Sequence, residues 1–155
     1  MNNSLDLRSI EYIANEFAQQ YKSNLLDAGK RASGNLVNSA KAYVDWNGTV
    51  LSISMELQDY WKYVEYGRKP GKFPPLDKIR QWIKVKPVLP RPGKNGKIPS
   101  ENTLAYLIGR KIATKGIKGT HTLAETIDKF QLVKKVTDTL ARLMTKNLED
   151  SLGES

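Results

Sequence analysis

The chain has 155 residues, 39% of them hydrophobic, and a formal net charge of +9, which suits one domain (1–155) with an ordinary core. Cysteine is absent, so a disulfide framework, a thiol nucleophile and a thiolate metal site are excluded. No run approaches the roughly 18 apolar residues of a membrane span, and the opening MNNSLDLRSIEYIANEF carries acids and amides where a signal peptide needs a basic start and an unbroken apolar stretch; a soluble product made in the cytosol is expected.

The first periodic segment places Ile10, Ile13, Ala14, Phe17, Tyr21 and Leu25 on one stripe, which predicts an amphipathic helix ending near Gly29. Next, Leu51, Ile53, Met55 and Leu57 alternate with Ser52, Ser54 and Glu56 after Asn47-Gly48, the signature of a hairpin, here over about 36–57. A two-residue turn would pair Trp46 with Thr49 and set Val44 opposite Leu51, Ala42 opposite Ile53 and Ala40 opposite Met55, with the apolar positions on one face. A two-stranded hairpin is marginal alone, so that face calls for cover by the first helix, the last, or both. Tyr60 to Tyr66 can make a helical turn closed by Gly67, and Pro74-Pro75 can start a helix bearing Leu76, Ile79 and Ile83 that Pro87 stops.

Residues 84–99 read KVKPVLPRPGKNGKIP, where four prolines and two glycines forbid regular structure and predict a long exposed loop. Ser100 can cap a helix with Leu104, Leu107, Ile108 and Ile112 that ends at Gly116. Thr122-Leu-Ala-Glu125 has capping-box spacing. It would open one long last helix with Leu123, Ile127, Phe130, Val133, Leu140, Met144 and Leu148 inward. The expected class is α+β: a small antiparallel sheet packed against long N- and C-terminal helices, with a basic helical and loop insertion between them.

The charge is uneven. From Tyr60 to Lys118 there are 15 Lys or Arg against Glu65, Asp77 and Glu101, whereas the flanks together hold 10 basic and 13 acidic residues. Such a field attracts polyanions, nucleic acid above all, and the loop cations Arg91, Lys94 and Lys97 become candidates for contact with DNA or an acidic partner. Catalytic chemistry leaves no signature. His121 is the only histidine and has no neighbouring acid at ligand spacing. GRKPG at 67–71 lacks the phosphate-loop pattern, and no acid pair suited to a hydrolase stands nearby in sequence. No catalytic residue, metal or cofactor is expected.

One stretch carries a resemblance. Gly34-Asn35-Leu36 before the hairpin, then Tyr60, Tyr63-Val64-Glu65-Tyr66-Gly67 and the prolines that follow, resemble the tail-completion or neck proteins of tailed bacteriophages, the minor-tail-Z-like tail components. The similarity spans about residues 33–80. Arg68-Lys69-Pro70-Gly71-Lys72 stands where that family has a short threonine-bearing loop, and the basic loop at 84–99 is an addition. The resemblance implies a non-enzymatic virion protein, made in the host cytoplasm and forming a ring or connector at the head-tail junction or tail top. Its implied partners are copies of itself and other neck or tail proteins, with non-specific contact to DNA and none to membrane. It also implies a subunit interface including Tyr63, Glu65, Tyr66 and Arg68. The alternative from charge alone is a stand-alone basic DNA-binding protein whose helix at 102–114 contacts phosphates.

Overall fold

The computed structural model describes residues 6–29, 34–86, 88–94 and 96–153; the predicted stop at Pro87 lies outside the described residues. In chain order these form α1 (Arg8–Asp27), α2 (Asn35–Ser39), β1 (Lys41–Trp46), β2 (Leu51–Glu56), α3 (Trp61–Glu65), β3 (Gly67–Arg68), α4 (Leu76–Val85), α5 (Glu101–Lys115), β4 (Ile117–Lys118), α6 (Thr122–Phe130) and α7 (Leu132–Gly153). The class is α+β, with a small antiparallel hairpin and long helices at both ends. The chain divides into two compact units, one of Met1–Gly29, Leu36–Gln58 and Thr122–Ser155, the other of Lys30–Asn35 and Asp59–His121.

In the first unit α1 supplies most of the core. Its 3.6-residue apolar stripe becomes one buried face of Ile10, Ala14, Phe17, Ala18, Tyr21 and Leu25, and full burial of a large apolar side chain contributes about 1.5–3 kcal/mol. β1, α6 and α7 all pack on this helix. Asn24 of α1 donates from Nδ2 to Thr126 Oγ1 at 2.8 Å, and that hydroxyl donates on to the Thr122 carbonyl at 2.6 Å. The Phe17 and Phe130 rings meet edge to face at 5.7 Å.

The hairpin has the expected facing and a different register. Trp46 pairs with Leu51, Val44 with Ile53 and Ala42 with Met55, so the loop holds four residues, Asn47 to Val50, instead of two. Asn47 Oδ1 accepts from the Thr49 and Val50 amides at 3.0 and 2.8 Å, an Asx turn that closes the wider loop, with Gly48 at φ +92°. A shift of two residues preserves the alternation. Lys41, Tyr43 and Asp45 are exposed while Ala42, Val44 and Trp46 are half-buried. The segment before β1, expected as strand from about residue 36, is the helical turn α2, in which Ser39 Oγ donates to the Leu36 carbonyl at 3.0 Å and Leu36 and Val37 are buried.

The C-terminal helix is broken where one continuous helix was expected. Gln131 takes a left-handed φ of +54° between α6 and α7, and the Lys135 ammonium lies 3.6 Å over the Phe130 ring at the break. Thr122 is the first helical residue of α6. None of the described residues of α7 is buried: Val133 is 71% exposed, Met144 46%, Leu148 65% and Leu152 76%. Val133, Met144 and Leu148, expected inward, therefore face outward, because beyond the break α7 half-buries a different stripe, Leu132, Val136, Leu140 and Leu143.

In the second unit α4 packs on α5. α5 is capped as expected: the Ser100 side chain accepts from the Thr103 amide, and Gly116 follows the last turn at φ +72°. Gly109 lets Phe73 lie against α5, since a Cβ there would meet the Phe73 ring at 2.5 Å. Phe73 in turn stacks on Tyr106, with centroids 5.7 Å apart.

Candidate functional site

Of the motif residues, Tyr60 to Gly67 sit on α3 and the turn after it, within the second unit, whereas Leu36 belongs to α2 and the first unit. Spacing of three residues puts Tyr60, Tyr63 and Tyr66 on one side of this short helix, and they are 39%, 60% and 65% exposed. Val64 and Glu65 point the other way. Glu65 is only 2% exposed, and no buried side-chain polar atom among the described residues lacks a hydrogen-bond partner, so its carboxyl makes its contacts inside the subunit. Tyr66 rests against Trp61, ring centroids 6.1 Å apart, and the half-buried Arg68 donates to the Lys72 carbonyl at 2.9 Å. Of the four residues expected at an interface, Tyr63 and Tyr66 present surface, Arg68 presents part of its side chain, and Glu65 presents almost none.

A second strand pair, not foreseen from the sequence, holds this turn. Gly67 pairs with Lys118 and Arg68 with Ile117, antiparallel. The Thr120 amide and hydroxyl both reach the Val64 carbonyl, at 2.9 and 3.0 Å, and the His121 amide reaches the Glu65 carbonyl at 3.1 Å. The approach is close enough to demand glycine on both sides. A Cβ on Gly67 would stand 2.1 Å from the Ile117 carbonyl oxygen, one on Gly116 2.3 Å from that of Arg68, and one on Gly119 2.3 Å from that of Glu65. These contacts are between backbones, so no side chain can swing away to relieve them.

Arg91, Lys94 and Lys97 are exposed in a segment whose described residues form no helix or strand, with the Gly93 amide on the Lys97 carbonyl at 3.0 Å and the Gly96 amide on the Gly93 carbonyl at 2.9 Å. They lie outside the β3–β4 junction. That junction gathers a different set of cations, on the 68–72 loop and at the end of α5, which arrive from segments more than 40 residues apart. The available signal was the absence of any acid from 66–76 and from 102–124.

Among the described residues no three His, Asp or Glu side chains are grouped to hold a metal ion, and no helix is long and apolar enough to cross a membrane. An open groove of about 410 Å3 in the first unit, between α1 and Phe130, is lined by Tyr12, Asn15, Glu16, Gln19 and Gln20 and joins one carboxylate to amides without a nucleophile and base. Compared with known families, curated proteins and solved structures, the chain matches none.

Proposed function

We propose that this chain is a non-enzymatic structural subunit of a tailed-phage or prophage virion, located at the head-tail junction or tail top and assembling with copies of itself and neighbouring neck or tail proteins. The observation that carries the reading is the outward row Tyr60, Tyr63 and Tyr66 within the motif that resembles the neck proteins. Tyrosine offers large, rigid contact area with a polar tip and is enriched at protein interfaces. The outward apolar residues of α7 support the same reading, because a stripe of this kind on one subunit is a surface another protein can cover. Interface contact is assigned to the tyrosines and the exposed part of Arg68, while buried Glu65 supports the turn from within.

Tyr63→Ala tests the proposal. Removing an exposed ring should change the stability of the isolated subunit by about 0.5 kcal/mol or less, whereas truncating an aromatic anchor at an interface costs about 2 kcal/mol or more. The variant should melt as the wild type does, yet stay smaller by light scattering at high concentration and be lost from particles. Normal incorporation into particles would overturn the assignment.

A further inference from the structure

The β3–β4 junction brings together cations that lie in none of the ion pairs formed among the described residues. Arg68, Lys69 and Lys72 occupy the loop after α3, and the Gly71 amide ties that loop to the Ala113 carbonyl of α5 at 2.8 Å. Lys115 ends α5 beside Gly116, whose backbone is packed on the Arg68 carbonyl. Lys118 is paired with Gly67 across the two strands. Arg110 and Lys111 stand about one turn earlier on α5. Apart from Arg68, which is half-buried, all of these cations are exposed.

Neither segment, 66–76 or 102–124, contains an Asp or Glu. The acids that flank them are engaged elsewhere: Asp77 pairs with Arg80, Glu101 lies 3.8 Å from Lys84, and Glu125 lies 3.2 Å from Lys129. Glu65, on the adjoining α3, is buried. The contrast with the first unit is internal to the chain. On α7 the cations Lys134, Lys135, Arg142 and Lys146 are interspersed with Asp138, Glu149 and Asp150, the usual pattern of a solvated helix face. At the junction like charges repel one another, and glycine-dependent backbone contacts hold them in place. A polymer bearing regularly spaced negative charge relieves that repulsion and releases its own counterions on binding. Tyr106 of α5 and Phe73, which packs on that helix from the loop before α4, are stacked and 42% (Phe73) and 51% (Tyr106) exposed, an aromatic surface of the kind bases stack on.

We infer that the surface formed by the 68–72 loop, the C-terminal half of α5 and β4 binds the phosphodiester backbone of nucleic acid without sequence preference. The binding belongs to the second unit of each chain and does not depend on assembly into a virion.

The test compares two triple variants that remove equal charge, Lys69→Gln/Lys72→Gln/Lys115→Gln at the junction and Arg91→Gln/Lys94→Gln/Lys97→Gln on the loop. Fluorescence anisotropy with labelled random-sequence duplex and single-stranded DNA, over about 50–200 mM salt, reads affinity and salt slope. A slope near −0.9 per neutralised phosphate makes each lost duplex contact worth about eightfold at 0.1 M salt. The junction variant should therefore bind duplex at least about tenfold more weakly with a shallower slope, and the loop variant should fall within about threefold of wild type. Parallel behaviour of the single strand identifies the backbone as the shared ligand. Both variants should melt as the wild type does, because the substituted junction residues are exposed and lie in none of the ion pairs formed among the described residues. Equal losses in the two variants, no loss at the junction, or equally effective competition by polyglutamate would overturn the inference; the last would assign the surface to an acidic protein. Tyr63→Ala should bind DNA normally, which separates this result from failure of the assembly reading.

Discussion

Gly67→Ala examines the contact on which both surfaces of the second unit depend. Gly67 has φ +75°, and its Cβ would stand 2.1 Å from the Ile117 oxygen, 2.5 Å from the Gly119 nitrogen and 2.9 Å from the Lys118 carbonyl carbon. A left-handed backbone costs a residue with a Cβ about 1–2 kcal/mol. The clash adds a second cost, because relief requires β3 and β4 to part and with them the links from Thr120 and His121. Loss of two to four hydrogen bonds at about 0.5–1.5 kcal/mol each brings the total to roughly 2–8 kcal/mol, a large fraction of the stability of a typical domain. Gly48→Ala is the control: its φ is +92° but nothing lies within 4 Å of the added atom, so only the backbone cost of about 1–2 kcal/mol applies. Urea denaturation gives the two losses, and hydrogen exchange at the Thr120 and His121 amides locates them. If Gly67→Ala costs no more than Gly48→Ala, or leaves those amides equally protected, the reasoning about the junction is wrong.

Three further outcomes follow from the first unit. Gln131→Gly should relieve the left-handed strain between α6 and α7, stabilise by roughly 0.5–1 kcal/mol and raise Tm by a few degrees; a lower Tm would refute the strain. Thr126→Val should cost about 1–3 kcal/mol in urea denaturation, since it strands the Asn24 amide donor in a part-buried site, and an unchanged midpoint would refute the network. The Tyr43 hydroxyl donates to Glu56 at 2.9 Å, and this bond, before burial and charge, raises the phenol pKa above its ordinary 10.0. The folded chain then holds that proton more tightly than the unfolded chain, so the contribution is present below pH 10 and is lost as pH rises through the folded value. Urea midpoints of wild type should accordingly exceed those of Tyr43→Phe at about pH 8, with the gap closing above about pH 10; a constant gap would refute the coupling.

The motif around α3 was only partly legible before the fold was known. Its residue types and order stand in the sequence, but a five-residue helix is too short for periodicity to say which side faces inward, and the burial of Glu65 depends on what packs beneath α3. The junction cations were harder to see, because β3 and β4 are two residues each and carry no alternating pattern. The three glycines that permit their contact look like ordinary loop punctuation until the facing backbone is known.

By itself the sequence determined what local physics can encode: the apolar stripe of α1, the Ser100 cap and Gly116 stop of α5, the start of α4 after its prolines, and which residues of the hairpin share a face. Each rests on a short-range signal, a 3.6- or two-residue period or a side chain bonded to backbone within one turn. Tertiary structure decided the hairpin register, where the Asn47 side chain closes a four-residue loop in place of the expected two. It decided the break at Gln131, where α6 and α7 both pack on α1, and the outward facing of Val133, Met144 and Leu148, because the break changes which stripe of the helix turns inward. It also decided the meeting of the 68–72 loop with the end of α5, since contact between backbones more than 40 residues apart is set by the packing of whole elements and leaves no period in the sequence.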